Sequence, residues 1–232
     1  GGPGLCCLAE REHYGSTLPI VWWDQPRGVV LMAHPFAELV EMTISEVTER
    51  ATQSGYPVNL VAHSFGAHLA LHVAVRIPDR VHSLTLLAPV FDVVDGIARV
   101  GHRVVERLPY AASLPRALDL LAERPYSREC FWNLVNELMT TPDFLQVYFR
   151  DEAGTPYSDF AALMARETVL DASAFRTILQ DFWEMPALDT PLRIRCPVDL
   201  VFGNQDVLID PIDGERIWSS YFPDARIRRV DA

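Results

Sequence analysis

The sequence predicts an α/β fold, a doubly wound and mostly parallel sheet with a helical insertion. Three observations support this. Strands and helices alternate from residue 18, a strand–turn–helix–strand run fills residues 58–90, and the strand pattern resumes at residue 198. The 232 residues, 49% hydrophobic and 22% charged, suffice for one large domain or a core with a small lid. We divide the chain into a core, residues 1–94 and 191–232, and a helical lid, residues 95–190.

The first part of the predicted core holds one short apolar run and one amphipathic helix. Residues 20–23 are apolar and predict a strand that ends in a loop at residues 24–28. Apolar side chains then recur every three or four positions between residues 36 and 51, which is typical of a helix with one buried face. Gly55 and Pro57 predict its end.

The best-defined run follows directly. Residues 58–62 predict a buried strand, residues 63–66 a sharp turn, residues 67–75 a helix and residues 81–87 the next strand. After the helical middle, residues 198–202 and 225–230 predict two further strands. A loop at residues 203–210 and a helix at residues 211–220 separate them.

Ser64 lies on the turn between a buried strand and an apolar helix, where a nucleophile elbow would place its serine. Ala62 and Gly66 are small, which lets strand and helix approach each other. The backbone N–H of Phe65 would then point at a developing oxyanion. The alternative is that Ser64 only caps the helix. We interpret His63 as a packed or partly exposed neighbour, because its side chain should point away from Ser64.

These motifs resemble those of the α/β-hydrolase family. Residues 58–90 resemble its nucleophile region, including the Pro78–Val81 step into the next strand, although Ala62 replaces the glycine of the stricter motif. Residues 196–206 resemble its penultimate strand and acid loop. Residues 1–4 and 24–27 resemble two loops of proline-iminopeptidase-like serine hydrolases.

The resemblance implies a set of site residues. Asp206 is implied as the acid that orients a histidine, with Asp92 in reserve; the alternative is that Asp206 is an ordinary turn residue. Asp199 lies within a strand and is interpreted as structural. Gly2 is implied as a second oxyanion donor, whereas Pro3 has no N–H to donate. The alternative is that the first glycines are an extension unrelated to the site.

No histidine occupies the position that the family would use. All seven histidines lie between residues 13 and 102, and none follows the last predicted strand. The strand that should precede the first glycines, between those at 20–23 and 58–62, is also missing. We therefore expect the sequence to lack the first strands and the final histidine loop and helix, and to be part of a longer protein.

The resemblance implies a serine hydrolase that cleaves an acyl bond of a small molecule or short peptide. An aminopeptidase, with lid carboxylates for the α-amino group, and a hydrolase of small esters, thioesters or lactones are both open. The carboxylates considered are Glu123, Glu137, Asp151, Glu152 and Glu184. The alternative from another class is a non-catalytic relative that binds a ligand or protein. Dehalogenase chemistry is disfavoured, because it needs an aspartate where Ser64 stands.

The composition of the chain disfavours several classes of partner and cofactor. A net charge of −11 disfavours nucleic acid, whose phosphates need a basic surface. No run has the length and apolarity of a membrane span. The four cysteines have neither metal-ligand spacing nor a disulfide pattern, and no cofactor motif occurs. We expect a cytoplasmic protein that acts without a cofactor or metal.

Overall fold

A four-stranded parallel sheet and the helices packed on it make up the computed structural model, which describes residues 2–149, 155–166, 170–185 and 194–231. The strands are β1 (Val58–His63), β2 (Val81–Leu87), β3 (Val198–Gly203) and β4 (Arg226–Val230). The helices are α1 (Leu8–Tyr14), α2 (Pro35–Ser54), α3 (Gly66–Arg76), α4 (Val93–Arg107), α5 (Leu114–Glu123), α6 (Arg128–Thr140), α7 (Thr155–Arg166), α8 (Ala172–Glu184) and α9 (Pro211–Tyr221).

The sheet has the order β1-β2-β3-β4, with all neighbours parallel. Leu60 lies opposite Leu84, and Leu200 lies between Leu86 and Ile227, so apolar side chains align across the sheet. The strands predicted at 58–62, 81–87, 198–202 and 225–230 are confirmed. Because all four are parallel, their carboxyl ends meet at one edge of the sheet, where α/β proteins bind ligands.

The prediction of a strand at residues 20–23 is wrong. Residues 19–26 form neither strand nor helix, and Val21 is 63% exposed. An apolar run becomes a strand only beside another strand, and β1 is an edge strand with no described neighbour on that side.

Helix α2 matches its prediction closely. Its apolar stripe is buried, with Phe36, Leu39 and Val40 at most 1% exposed. It ends at Gly55, whose φ of 74° is left-handed and whose N–H donates to the Ala51 carbonyl at 3.0 Å. Glycine adopts that conformation without a steric penalty, which explains the stop.

The apolar interior divides into two clusters. One lies on the sheet and joins the strands to α3 and α9 through Leu84, Leu200 and Trp218. The other lies among the helices α2, α4, α5, α6 and α8. Phe65 and Leu69, from the Ser64 turn and the first part of α3, belong to the helical cluster. The turn therefore stands where the two clusters meet.

Residues 95–190 are helical wherever the structure describes them, apart from short turns and one antiparallel bridge between Leu170 and Leu5. Several of their aromatic residues pack on one another: the Phe131 ring lies 5.1 Å from Trp132 and 4.7 Å from Trp183. These residues form the segment's own core. Below, residues 93–185 are called the helical segment.

Three general features concern only the described residues. None of their helices combines the length and apolarity needed to cross a membrane. No group of three or more of their His, Cys, Asp and Glu side chains is placed to hold a metal ion. All four cysteines are described, and none is in a disulfide.

Candidate active site

Ser64 has a strained backbone. Its φ is +55°, a conformation that non-glycine residues seldom adopt, and its side chain is almost buried, with 8% of the residue exposed. The turn is held from both sides, since the Ser64 N–H donates to the Leu87 carbonyl at 2.9 Å and its carbonyl accepts from Ala67 N–H at 3.1 Å. A sharp strand–turn–helix is therefore present where the sequence predicts it.

The geometry does not support a capping role for Ser64. Helix α3 begins at Gly66, its N-cap position is Phe65, and no side chain caps it. No hydrogen bond of the Ser64 hydroxyl is found within the described part of the chain. A polar side chain held in a strained turn without a structural bond is a candidate for chemistry.

Phe65 anchors the turn through its ring. The residue is 2% exposed, and its ring packs at 5.7 Å from Phe36 and 5.2 Å from Phe182. Its φ and ψ of −57° and −28° are helical, so its N–H belongs to the donors at the start of α3 that lack helical partners. Over residues 2–149 and the other described ranges, no hydrogen bond uses this N–H.

Asp206 follows β3 at the same edge of the sheet. One of its carboxylate oxygens, Oδ1, accepts from the N–H groups of Leu208 at 2.8 Å and Ile209 at 3.2 Å. Burial raises the pKa of Asp206, and the two N–H groups partly oppose that rise. Oδ1 of Asp206 thus bonds within its own turn, while Oδ2 has no bond within the described residues.

Ser64 and Asp206 do not touch. They follow β1 and β3, which are separated by β2, so the strands that carry them lie about 10 Å apart, at two strand spacings. A third side chain must bridge that gap in a serine–histidine–acid arrangement. Among the described residues, no hydrogen bond joins a histidine to either of them. The structure therefore places the nucleophile and acid candidates at one edge of the sheet, and the described residues include no histidine bonded between them.

His68 is the histidine that packs closest to the turn's aromatic residues. Its ring lies 5.4 Å from Phe65 and 4.6 Å from Phe182, and its Nε2 is buried without a partner among the described residues. Burial lowers the pKa of His68 to about 4. At neutral pH its imidazole is therefore uncharged. His63 stands at the end of β1, and loss of solvation likewise lowers its pKa to about 4.

Two other aspartates have structural partners. Asp92 caps α4, accepting from Val94 N–H at 2.8 Å and Asp95 N–H at 3.1 Å. Asp199, on β3, pairs with Arg226 on β4 at 2.7 Å. Both positions are explained by the helix and the sheet that they stabilise.

Gly2 and Gly4 lie in a loop that Gln25 holds with both ends of its amide. Gln25 Nε2 donates to the Gly2 carbonyl at 2.9 Å, and its Oε1 accepts from Gly4 N–H at 3.0 Å. Asp24 holds the following residues by accepting from Cys7 N–H at 2.7 Å and from Arg11 at 3.1 Å. A loop was predicted at residues 24–28, but these contacts join residues far apart in sequence, which local patterns do not reveal.

Gly4 is fitted to the start of α8. Its φ is +69°, and an added Cβ would lie 2.5 Å from the Asp171 carbonyl oxygen and 2.7 Å from Phe175 N. Its carbonyl accepts from Asp171 N–H at 2.9 Å. A glycine is needed there, so these residues are part of the fold and not an unrelated extension. No hydrogen bond in the described residues connects Gly2 to the Ser64 turn.

Solved structures provide the first comparison. The chain is similar to a proline iminopeptidase-related protein from Thermus thermophilus, with 22% identity and a TM-score of 0.62; the match covers 99% of this chain and 78% of the other. It is also similar to VinJ, with 19% identity and a TM-score of 0.51, over 99% of this chain and 79% of the other. At such identities the likeness shows the fold alone.

Of the two sequence comparisons, one finds no match and the other matches most of the chain. No curated protein matches the sequence. The family model described as the alpha/beta hydrolase fold matches residues 36–232, which include β1 to β4, the Ser64 turn and the Asp206 loop. The chain belongs to the α/β hydrolase fold family.

Proposed function

We propose that the protein is a serine hydrolase that cleaves an acyl bond, an ester or an amide, of a small molecule or short peptide. The observation that carries the proposal is Ser64 itself, held at a φ of +55° between β1 and α3 without serving as a helix cap. Such strain is retained where the surrounding fold enforces it, and it is concentrated at functional sites.

In this proposal Ser64 Oγ attacks the acyl carbon, and a histidine takes its proton and then gives it to the leaving group. The N–H groups of Phe65 and Gly2 would stabilise the oxyanion. Water then releases the acyl group from Ser64. Asp206 would orient the histidine with Oδ2, the oxygen that its own turn does not use.

We propose that the histidine follows β4. The Asn204 N–H donates to the Val230 carbonyl at 2.9 Å, so the chain leaving β4 runs beside the loop that carries Asp206. A side chain a few residues further on could reach Asp206 from that position. This placement gives the order nucleophile, acid, base along the chain, after β1, β3 and β4 respectively.

The helical segment would be the lid that shapes the substrate pocket. Of the carboxylates considered for binding an α-amino group, Glu184 pairs with Arg128 and Glu137 accepts from the Ser113 hydroxyl. Asp151 and Glu152 lie outside the described residues. Glu184 and Glu137 already have partners, so neither is singled out to bind an α-amino group. We therefore retain both substrate classes, aminoacyl amides and small esters. Four cysteines without disulfides support a cytoplasmic location.

A substrate screen tests the proposal. The protein with its native ends should hydrolyse p-nitrophenyl acyl esters or aminoacyl p-nitroanilides, and Ser64→Ala should lower kcat by about 10⁴ or more. Preference for one series would identify the substrate class. Hydrolysis that survives in Ser64→Ala, or no hydrolysis of either series by a folded protein, would contradict the proposal.

A second candidate is a non-catalytic relative that binds a ligand or protein. One observation favours it: within the described residues no histidine bonds to Ser64 or Asp206. It predicts that ligands bind the carboxyl edge of the sheet unchanged, which calorimetry with product analysis would detect.

A further inference from the structure

Helix α2 is capped by a carboxylate from a distant helix. Its own N-cap residue, His34, makes no capping bond. Instead Asp181 of α8 accepts from the N–H groups of Phe36 at 2.8 Å and Ala37 at 3.2 Å through Oδ2. Its other oxygen lies 3.2 Å from His34 Nδ1. These are the two amides that a local cap would satisfy, here bonded across 145 and 144 residues of sequence.

Asp181 is well placed to act as more than a cap. Its side chain is 10% exposed, so the bonds form in a partly dehydrated site where they are stronger than at the surface. The next residue, Phe182, packs its ring 5.0 Å from the Phe36 ring. Asp181 and Phe182, which are neighbours on α8, thus contact Phe36 through its backbone N–H and its ring respectively.

The same rings contact the Ser64 turn. Phe65 lies 5.2 Å from Phe182 and 5.7 Å from Phe36, so the three rings form a closed triangle with edge-to-face contacts. Phe36 and Phe65 are 0% and 2% exposed. Interiors this closely packed transmit displacements, so a shift of α8 relative to α2 would move the Phe65 ring and with it the Phe65 backbone.

We propose that Asp181 is a positioning residue for the Phe65 N–H: by locking α8 to α2 it fixes the aromatic triangle that orients the turn after Ser64. The inference rests on the proposed function, which uses this N–H as an oxyanion donor. It makes α8 a fixed wall of the site, while any moving part of the lid lies elsewhere in the helical segment.

The test combines amide hydrogen exchange with labelling by a fluorophosphonate probe, on the protein with its native ends. In Asp181→Ala, exchange at residues 36 and 37 should accelerate on the order of tenfold, as expected for a lost cap. Exchange at residues 65–68 should accelerate with it. Ser64 labelling should slow by about tenfold, because misplaced reacting groups react slowly.

Two variants keep the result interpretable. Asp181→Asn retains an oxygen acceptor and should restore both exchange and labelling most of the way to wild type. Ser127→Ala removes the cap of α6, in the same segment but outside the triangle, and should change neither at residues 64–68. If Asp181→Ala accelerates exchange only at residues 36 and 37, with labelling unchanged, the positioning role is wrong.

The two proposals fail in different ways. If the wild-type protein is not labelled at all, the proposed function is wrong, and the contact of Asp181 with α2 has no catalytic role. Exchange at residues 65–68 would then still decide whether Asp181 orders the turn. Unchanged exchange there in Asp181→Ala would overturn the coupling whatever the labelling shows.

Discussion

The two ends of the candidate site, the Ser64 turn and the Asp206 loop, are built in opposite ways. The Ser64 turn is almost buried, strained in its backbone and packed by rings from α2 and α8. The Asp206 loop is held mainly by its own backbone amides, within three residues, and keeps one carboxylate oxygen unbonded in the described residues. The first is preorganised by distant parts of the chain, whereas the second is left able to accept a partner.

The proposed chemistry needs both a positioned nucleophile and an acid that holds a histidine. A nucleophile needs a fixed position and fixed oxyanion donors, and packing against α2 and α8 holds the Ser64 turn in place. An acid needs to hold a histidine, and among the described residues no histidine bonds to Asp206. The predictions below test whether the two ends differ in stability and strain as this comparison requires.

The largest expected effect is on packing. Phe65→Ala should lower the free energy of unfolding by about 3–5 kcal/mol, because it empties a fully buried site between Phe36 and Phe182. Phe91→Ala is the matched control, at a phenylalanine that follows β2 and packs on Trp218 and Tyr221 of α9. Phe91 is 39% exposed, so its loss should cost about 1 kcal/mol or less. Equal losses in urea unfolding would show that the Ser64 turn is not the better-packed end.

A smaller effect should reveal the strain at Ser64. Ser64→Gly should be more stable than Ser64→Ala by about 1 kcal/mol, because glycine adopts a positive φ without a steric penalty. At Ser173, an exposed position in α8, the order should reverse, since glycine destabilises helices. Thermal unfolding of the four variants measures both differences. An alanine variant at 64 as stable as the glycine variant would mean that the turn carries no strain.

The smallest effect concerns the pH dependence at Asp206. Burial raises the pKa of Asp206 in the fold above its unfolded value, so the protonated form is favoured there. The resulting stability is present at low pH and lost as the pH rises through the folded pKa. Asp206→Asn stays neutral and can still accept from Leu208 and Ile209. It should therefore raise Tm at pH 7 by about 2 °C.

Melting curves at pH 7 and pH 4 check this prediction. The difference between Asp206→Asn and wild type should shrink at the lower pH, where the wild-type carboxyl is increasingly protonated. A loss of several degrees at pH 7 would show instead that the charged carboxylate stabilises its loop, and that Asp206 is chiefly a turn residue.

Local sequence signals predicted the sheet and the Ser64 turn but not the contacts that support them. Strands β1 to β3 are rich in apolar residues, and Ala62 and Gly66 bracket the turn, so neighbouring residues carry that information. The bonds from Asp181 to α2 and from Gln25 to residues 2–4 join segments far apart in sequence, which periodicity cannot reveal. The strand predicted at residues 20–23 failed because an apolar run does not show whether a neighbouring strand exists.

The proposed chemistry depends most on Ser64 being an activated nucleophile. Mass spectrometry of the protein with its native ends, after reaction with a fluorophosphonate probe, tests this directly. A serine hydrolase should give one adduct per molecule, located on Ser64 and absent in Ser64→Ala. A folded protein that stays unmodified, or an adduct that persists in Ser64→Ala, would contradict it.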